Sequence, residues 1–131
     1  MPISVQPQYN LVQGEDLLAD LLVITNNNAP NLNDCLDIYV SVRSGNHASV
    51  IEFALNPTDS ISNQLEIDSE QSNVLKLPLK RSDTKALQPG TLFCDLILKF
   101  DDADFPEGRH DEISNIKIGT IREGKLKDVV I

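Results

Sequence analysis

Apolar residues in this chain recur at every second position, and that spacing limits the fold more than any other feature. Leu36, Ile38, Val40 and Val42 alternate with Asp37, Tyr39 and Ser41. A strand turns successive side chains to opposite faces, so such a run buries one face and wets the other. Ser44-Gly45-Asn46 follows, where glycine and asparagine tolerate the positive φ of a tight reversal. Ile51, Phe53 and Leu55 then face one way, which predicts a β-hairpin ended by Asn56-Pro57-Thr58-Asp59. Leu65 and Ile67 alternate with Glu66 and Asp68; Leu75, Leu77 and Leu79 alternate with Lys76, Pro78 and Lys80. Pro78 cannot donate to a ladder and marks an edge or an outward-facing position. One helical turn is expected over Ser82–Leu87, capped by Ser82 or Asp83 and broken by Pro89-Gly90. The longest alternation follows in Leu92, Cys94, Leu96, Leu98 and Phe100, and Ile116 with Ile118 begins a last pairing.

Only Gly14–Thr25 is ambiguous. Leu17, Leu18, Leu21 and Leu22 have helical spacing, but Val23-Ile24-Thr25 is β-branched and a turn cluster, Asn26–Pro30, follows. Among strand neighbours, Asp16–Thr25 reads as a strand buried on both faces. Seven to nine antiparallel strands, with turn signals every eight to twelve residues and no long helix, predict an all-β sandwich. The 131 residues suit one domain, 1–131, large enough to bury a core without a metal or disulfide.

Charge narrows the function classes. Met1–Asn73 holds ten acidic residues and one basic residue, Arg43; Val74–Ile131 holds ten of each, for −9 overall. Such a chain lacks the cationic footprint that nucleic acid or an anionic membrane surface requires. MPISVQPQYN carries neither the basic start nor the apolar core of a secretory signal, and Leu17–Ile24 is too short to span a bilayer. Two cysteines without a Cys/His cluster predict free thiols in a reducing cytosol. The split itself suggests one acidic and one mixed side, with Lys80, Arg81, Lys85, Lys125 and Lys127 meeting an acidic neighbour.

The order of the pieces carries a resemblance. Gln13-Gly14-Glu15-Asp16 opens a long strand, then come Asn28-Ala29-Pro30-Asn31-Leu32 and a strand ending Val40-Ser41-Val42-Arg43-Ser44-Gly45. Further on stand Leu75–Leu79, Thr84-Lys85-Ala86-Leu87-Gln88-Pro89-Gly90 and Leu92-Phe93-Cys94-Asp95-Leu96. From Gln13 to Gly119 this order resembles the immunoglobulin-like domain of tailed-bacteriophage virion proteins, typified by the N-terminal domain of baseplate upper proteins. The resemblance implies an immunoglobulin-like sandwich acting through protein–protein contacts in a capsid, neck, tail or baseplate. Its partners would be other virion proteins and further copies of itself, and its location the virion, assembled in the bacterial cytoplasm. Family members carry the domain as the anchor of a longer protein, whereas here nothing follows Ile131, which favours an adaptor, decoration or completion protein.

Candidate sites are few. Asp101, Asp102, Asp104 and Glu107 offer oxygens to a hard cation, but the spacing lacks the glycine and distal glutamate of a calcium loop, so a solvated hairpin tip is expected and no metal or other cofactor. Cys35 and Cys94 stand 59 residues apart, close to an antibody-type bridge. The absence of tryptophan and the phase of Cys35 against Leu36 and Ile38 weigh against one. His47, in the hairpin turn, and His110, in the acidic stretch, have no nucleophile elbow to serve, and an enzyme is not expected. Tyr39 and Phe93 fall on the outer phase of their strands and, with Val129, Val130 and Ile131, are the candidate interface residues. Residues 1–10 and 125–131 are candidate arms, which either lie across a neighbour or pair within the domain's own sheets. A free-standing module binding a glycan or calcium through its loops is the alternative function.

Overall fold

The computed structural model describes residues 3–4, 8–23, 30–45 and 50–131. Among these, ten strands occur in chain order: β1 (Ile3–Ser4), β2 (Tyr9–Val12), β3 (Leu17–Val23), β4 (Cys35–Ser44), β5 (Val50–Ala54), β6 (Asn63–Gln64), β7 (Glu66–Ile67), β8 (Val74–Leu79), β9 (Gly90–Asp102) and β10 (Phe105–Arg122). An α-helix, α1 (Arg81–Ala86), links β8 to β9. The strands form a four-stranded sheet, β1-β3-β8-β7, and a six-stranded sheet, β2-β10-β9-β4-β5-β6. The molecule is an all-β sandwich, as the alternation predicts. Neighbours are antiparallel except β2–β10 and β5–β6, which are parallel.

The apolar phases of both sheets meet in one core. Leu21, Leu75 and Leu77 come from the smaller sheet, and Val40, Phe53 and Leu96 from the larger, all essentially inaccessible. Each such side chain contributes roughly 1.5–3 kcal/mol by leaving water. The chain crosses between sheets at Leu65, which is fully buried between β6 and β7. Tyr9 ties the layers together, since its hydroxyl accepts the N–H of Asp20 at 2.7 Å. Pro78 occupies the outward ladder position expected of it, because β7 ends opposite Lys76 and, among the described residues, no strand pairs with that side of β8 beyond it.

Several expectations change. Asp16–Thr25 forms a strand, over Leu17–Val23, but only one face is buried; Leu18 is exposed and Asp20 half-buried on the other, and Ile24 and Thr25 lie outside the described residues. The inward phase of β4 breaks at its start, where a register slip between Cys35 and Asp37 puts Cys35 inside and Leu36, 49% exposed, outside. The acidic stretch is mostly strand: β9 runs to Asp102, Ala103-Asp104 turns the chain, and β10 begins at Phe105. The helical turn starts at Arg81, and Asp83 serves it from the third position, its carboxylate accepting the N–H of Lys80 at 3.0 Å. The halves of the sequence also interleave. β8 lies between β3 and β7, and β9 with β10 between β2 and β4, so the acidic half is not one side of the sandwich.

The N-terminal segment pairs within the domain where it is described, and the C-terminal segment is held to it through the backbone as far as Val129. Ile3 and Ser4 pair with Val23 and Leu22 of β3, and Tyr9 and Asn10 with Gly119 and Thr120 of β10; the rest of residues 1–7 lies outside the described residues. The C-terminal segment forms turns rather than a strand. Arg81 grips it, its guanidinium donating to the carbonyls of Leu126 (2.9 Å), Lys127 (3.1 Å), Val129 (2.7 Å) and Gly14 (2.6 Å).

Candidate interaction face

The outward face of the six-stranded sheet brings together Tyr39, Ser41 and Arg43 from β4 with Phe93, Asp95 and Ile97 from β9. Register sets this: Tyr39 opposes Ile97, Ser41 opposes Asp95 and Arg43 opposes Phe93. The two aromatic candidates thus share one face, although neither stands free on it. The Tyr39 hydroxyl donates to Glu52 Oε2 at 2.7 Å. Desolvation, and then this bond and the Glu52 charge, push the phenol up to about 12, so it stays protonated at neutral pH. Phe93 is half-buried beneath the Arg43 guanidinium, 5.2 Å from the ring centroid.

Asp95 organises the centre of the face. Its Oδ2 accepts from Ser41 Oγ and Arg43 Nε, both at 3.3 Å, and its Oδ1 accepts the N–H of Asn115 at 2.8 Å. Asn115 has φ 61° at a bulge in β10 between Ile113 and Ile116, and its side-chain oxygen accepts from Arg43. Arg43 therefore spans Asp95, Asn115 and Phe93, and the sole basic residue of the first 73 is held in place. A shallow depression beside this network is lined by Asp37, Tyr39, Ile97, Lys99 and His110. The polar groups of this face are bonded to one another.

The remaining candidates lie elsewhere. Val129 is half-exposed, while Val130 and Ile131 project fully into solvent. Asp102 Oδ2 accepts from the Arg109 guanidinium at 3.2 Å, and its other oxygen accepts the N–H of Asp104 at 2.9 Å. Asp101, Asp104 and Glu107 are exposed at the tip, and among the described residues no group of three or more His, Cys, Asp or Glu side chains converges on a cation position. His110 stands on β10 opposite Lys99, while His47 lies outside the described residues.

Both cysteines are free and buried, including Cys35, which the phase of its neighbours places outside. Cys35 opposes Phe100 and Cys94 opposes Val42, so they sit near opposite ends of the β4–β9 pair. Six residues of strand separate Cys94 from Phe100, about 20 Å, against the ~7 Å limit of a disulfide. Burial chiefly pushes the thiols up, to about 11 for Cys35 and about 12 for Cys94. They pack as small apolar groups.

Exposed apolar residues outside the candidate set are Leu18, Leu36, Val50, Phe105 and Leu126. Phe105 is the most telling of these. It is half-exposed beside Pro106 at the tip of the β9–β10 hairpin, where an acidic composition reads as loop and hides a ring. Among the described residues no helix is long and apolar enough to cross a membrane. The chain matches no family model, and no curated protein sequence matches it.

Proposed function

We propose that this chain is an immunoglobulin-like interaction module of a tailed-bacteriophage particle, acting as an adaptor or decoration protein through surface burial and not through chemistry. The strand order is the observation that carries the immunoglobulin-like part. Immunoglobulin domains pair strands A-B-E-D in one sheet and G-F-C in the other, with C′ and C″ added in the variable type. Lettered along the chain, β1-β3-β8-β7 follows A-B-E-D, and β10-β9-β4-β5-β6 follows G-F-C-C′-C″. β2 is then a second limb of strand A, which changes sheets and runs parallel to β10. The usual inter-sheet bridge has no counterpart, since β3 carries no cysteine. A buried Cys94 on β9 and full apolar packing serve instead.

The virion part rests on the resemblance of Gln13–Gly119 in turn chemistry and strand order to baseplate upper proteins. Exposed apolar groups at Phe105 and Val129–Ile131 supply material for contacts. Head, neck, tail and baseplate positions all suit such a module.

Mass spectrometry of purified particles, from the phage whose genome carries this gene, tests the proposal. The chain is expected among the structural proteins at a fixed copy number. Absence from washed particles that are otherwise complete would overturn it. A lone monomer whose melting temperature rises with calcium or a glycan would support the ligand-binding alternative instead.

A further inference from the structure

β10 has β9 on one side and, among the described residues, only β2 on the other. β2 pairs with Gly119–Arg122 alone. Along the preceding stretch, from Phe105 to Ile118, the second side of β10 has no strand partner among the described residues. Outward N–H and C=O groups on such an edge are a template for another strand. Register slips interrupt the edge between Phe105 and Arg109 and between Ile113 and Ile116. Between them Arg109–Ile113 keeps unbroken register with Phe100–Leu96. This window is a regular edge that strand addition can extend.

The geometry points to a second copy of this chain as the occupant, with the two β10 strands antiparallel about a twofold axis. Directly opposed residues in a pleated sheet lie on the same face, so a twofold axis normal to the sheet must place one residue opposite its own copy. Three interior positions of the window can sit on the axis. With Asp111 or Glu112 there, two carboxylates face each other. With His110 there, Arg109 of each copy faces Asp111 of the other. Charge selects the His110 register.

Arg109 and Asp111 are already arranged for that contact. They oppose Phe100 and Leu98, on the side of the sheet that faces the core. The guanidinium lies 4.7 Å from the Phe100 ring centroid, with Asp102 at 3.2 Å and Asp111 at 3.7 Å. The second copy closes an alternating Arg–Asp–Arg–Asp set and joins two six-stranded sheets into one. Self-pairing goes beyond the proposed particle role and is a property of the purified chain whether or not that role holds.

Charge exchange tests it. Sedimentation equilibrium is expected to give a concentration-dependent dimer for the native chain. Asp111→Arg alone and Arg109→Asp alone each place like charges opposite one another, and each is expected to weaken the dimer by about a hundredfold. An equimolar mixture of the two variants re-forms both opposite-charge pairs, so a heterodimer close to native affinity is expected. Circular dichroism verifies folding, and Asp111→Lys with Arg109→Glu replaces the pair if either variant unfolds. A native chain that stays monomeric up to millimolar concentration overturns the proposal. So does a mixture that associates no better than its separate components.

Discussion

Arg81 shows how much a single side chain can do that composition does not reveal. Counted as charge, it belongs with Lys80, Lys85, Lys125 and Lys127 as a group able to meet an acidic neighbour. In the structure its guanidinium is already committed to four carbonyls of its own chain. Carbonyls belong to every residue and leave no mark in a sequence, so this role was not legible, whereas the alternation of Leu75, Leu77 and Leu79 was. Thr84 beside it is fully buried, its hydroxyl accepting the N–H of Gly14 at 3.0 Å and donating to the carbonyl of Glu15 at 2.8 Å. Arg81→Lys keeps the charge but loses the planar fork that reaches several acceptors at once. It is expected to cost about 2 kcal/mol in urea unfolding, and to speed tryptic cleavage after Lys125 and Lys127. A Lys variant with native stability and native cleavage would show that the grip is not structural.

At the scale of elements, strands were legible wherever pairing is regular, and were lost where a bulge intervenes. Alternation assumes that every residue advances the face by one step, and the slip between Cys35 and Asp37 violates that assumption. Leu36 consequently faces solvent and Cys35 the core, the reverse of the expected phase. The acidic stretch after Asp101 forms the hairpin tip linking two strands that is expected of it, with the strands reaching further toward the tip than its composition suggests. Its charges are tolerated in strand because Arg109 neutralises Asp102 and Asp111 within one face. The β2–β10 pair had no signature, since parallel contacts between distant segments leave only a requirement for close approach. Gly119 carries that requirement: its φ is 152°, and an added Cβ would lie 2.0 Å from the carbonyl oxygen of Tyr9. Gly119→Ala must push β2 away from β10, at an expected cost of about 2–4 kcal/mol. Hydrogen exchange at Asn10–Val12 should accelerate well before the rest of the sheet. Equal acceleration throughout the molecule would show instead that β2 does not open as a separate unit.

Over the whole molecule, charge halves in the sequence do not become charge sides, because β8, β9 and β10 insert between strands of the acidic half. What the fold does polarise is the long axis. β9 runs from Gly90, beside α1 and the C-terminal turns, to Asp102 at the acidic hairpin tip, roughly 40 Å away at strand rise. Apolar exposure follows the same axis, with Leu36 and Phe105 toward the tip and Leu126 and Val129–Ile131 at the base. If the proposed particle role holds, two surfaces compete as the contact to its partners, the outward sheet face and the C-terminal base, and their internal bonding differs. Tyr39 and Phe93 are engaged by Glu52 and Arg43, whereas Val130 and Ile131 bury almost nothing in the domain. An unengaged apolar group is the one with most surface left to remove from water on assembly. Replacing Val130 and Ile131 together by serine should leave the unfolding free energy within about 0.5 kcal/mol of native. The same replacement should sharply reduce the copies of the chain recovered in particles. Phe93→Ala should do the opposite, lowering stability by about 1–3 kcal/mol while particles still incorporate the folded fraction. If the serine variant enters particles at native copy number and Phe93→Ala does not, the docking surface is the sheet face and not the C-terminal base.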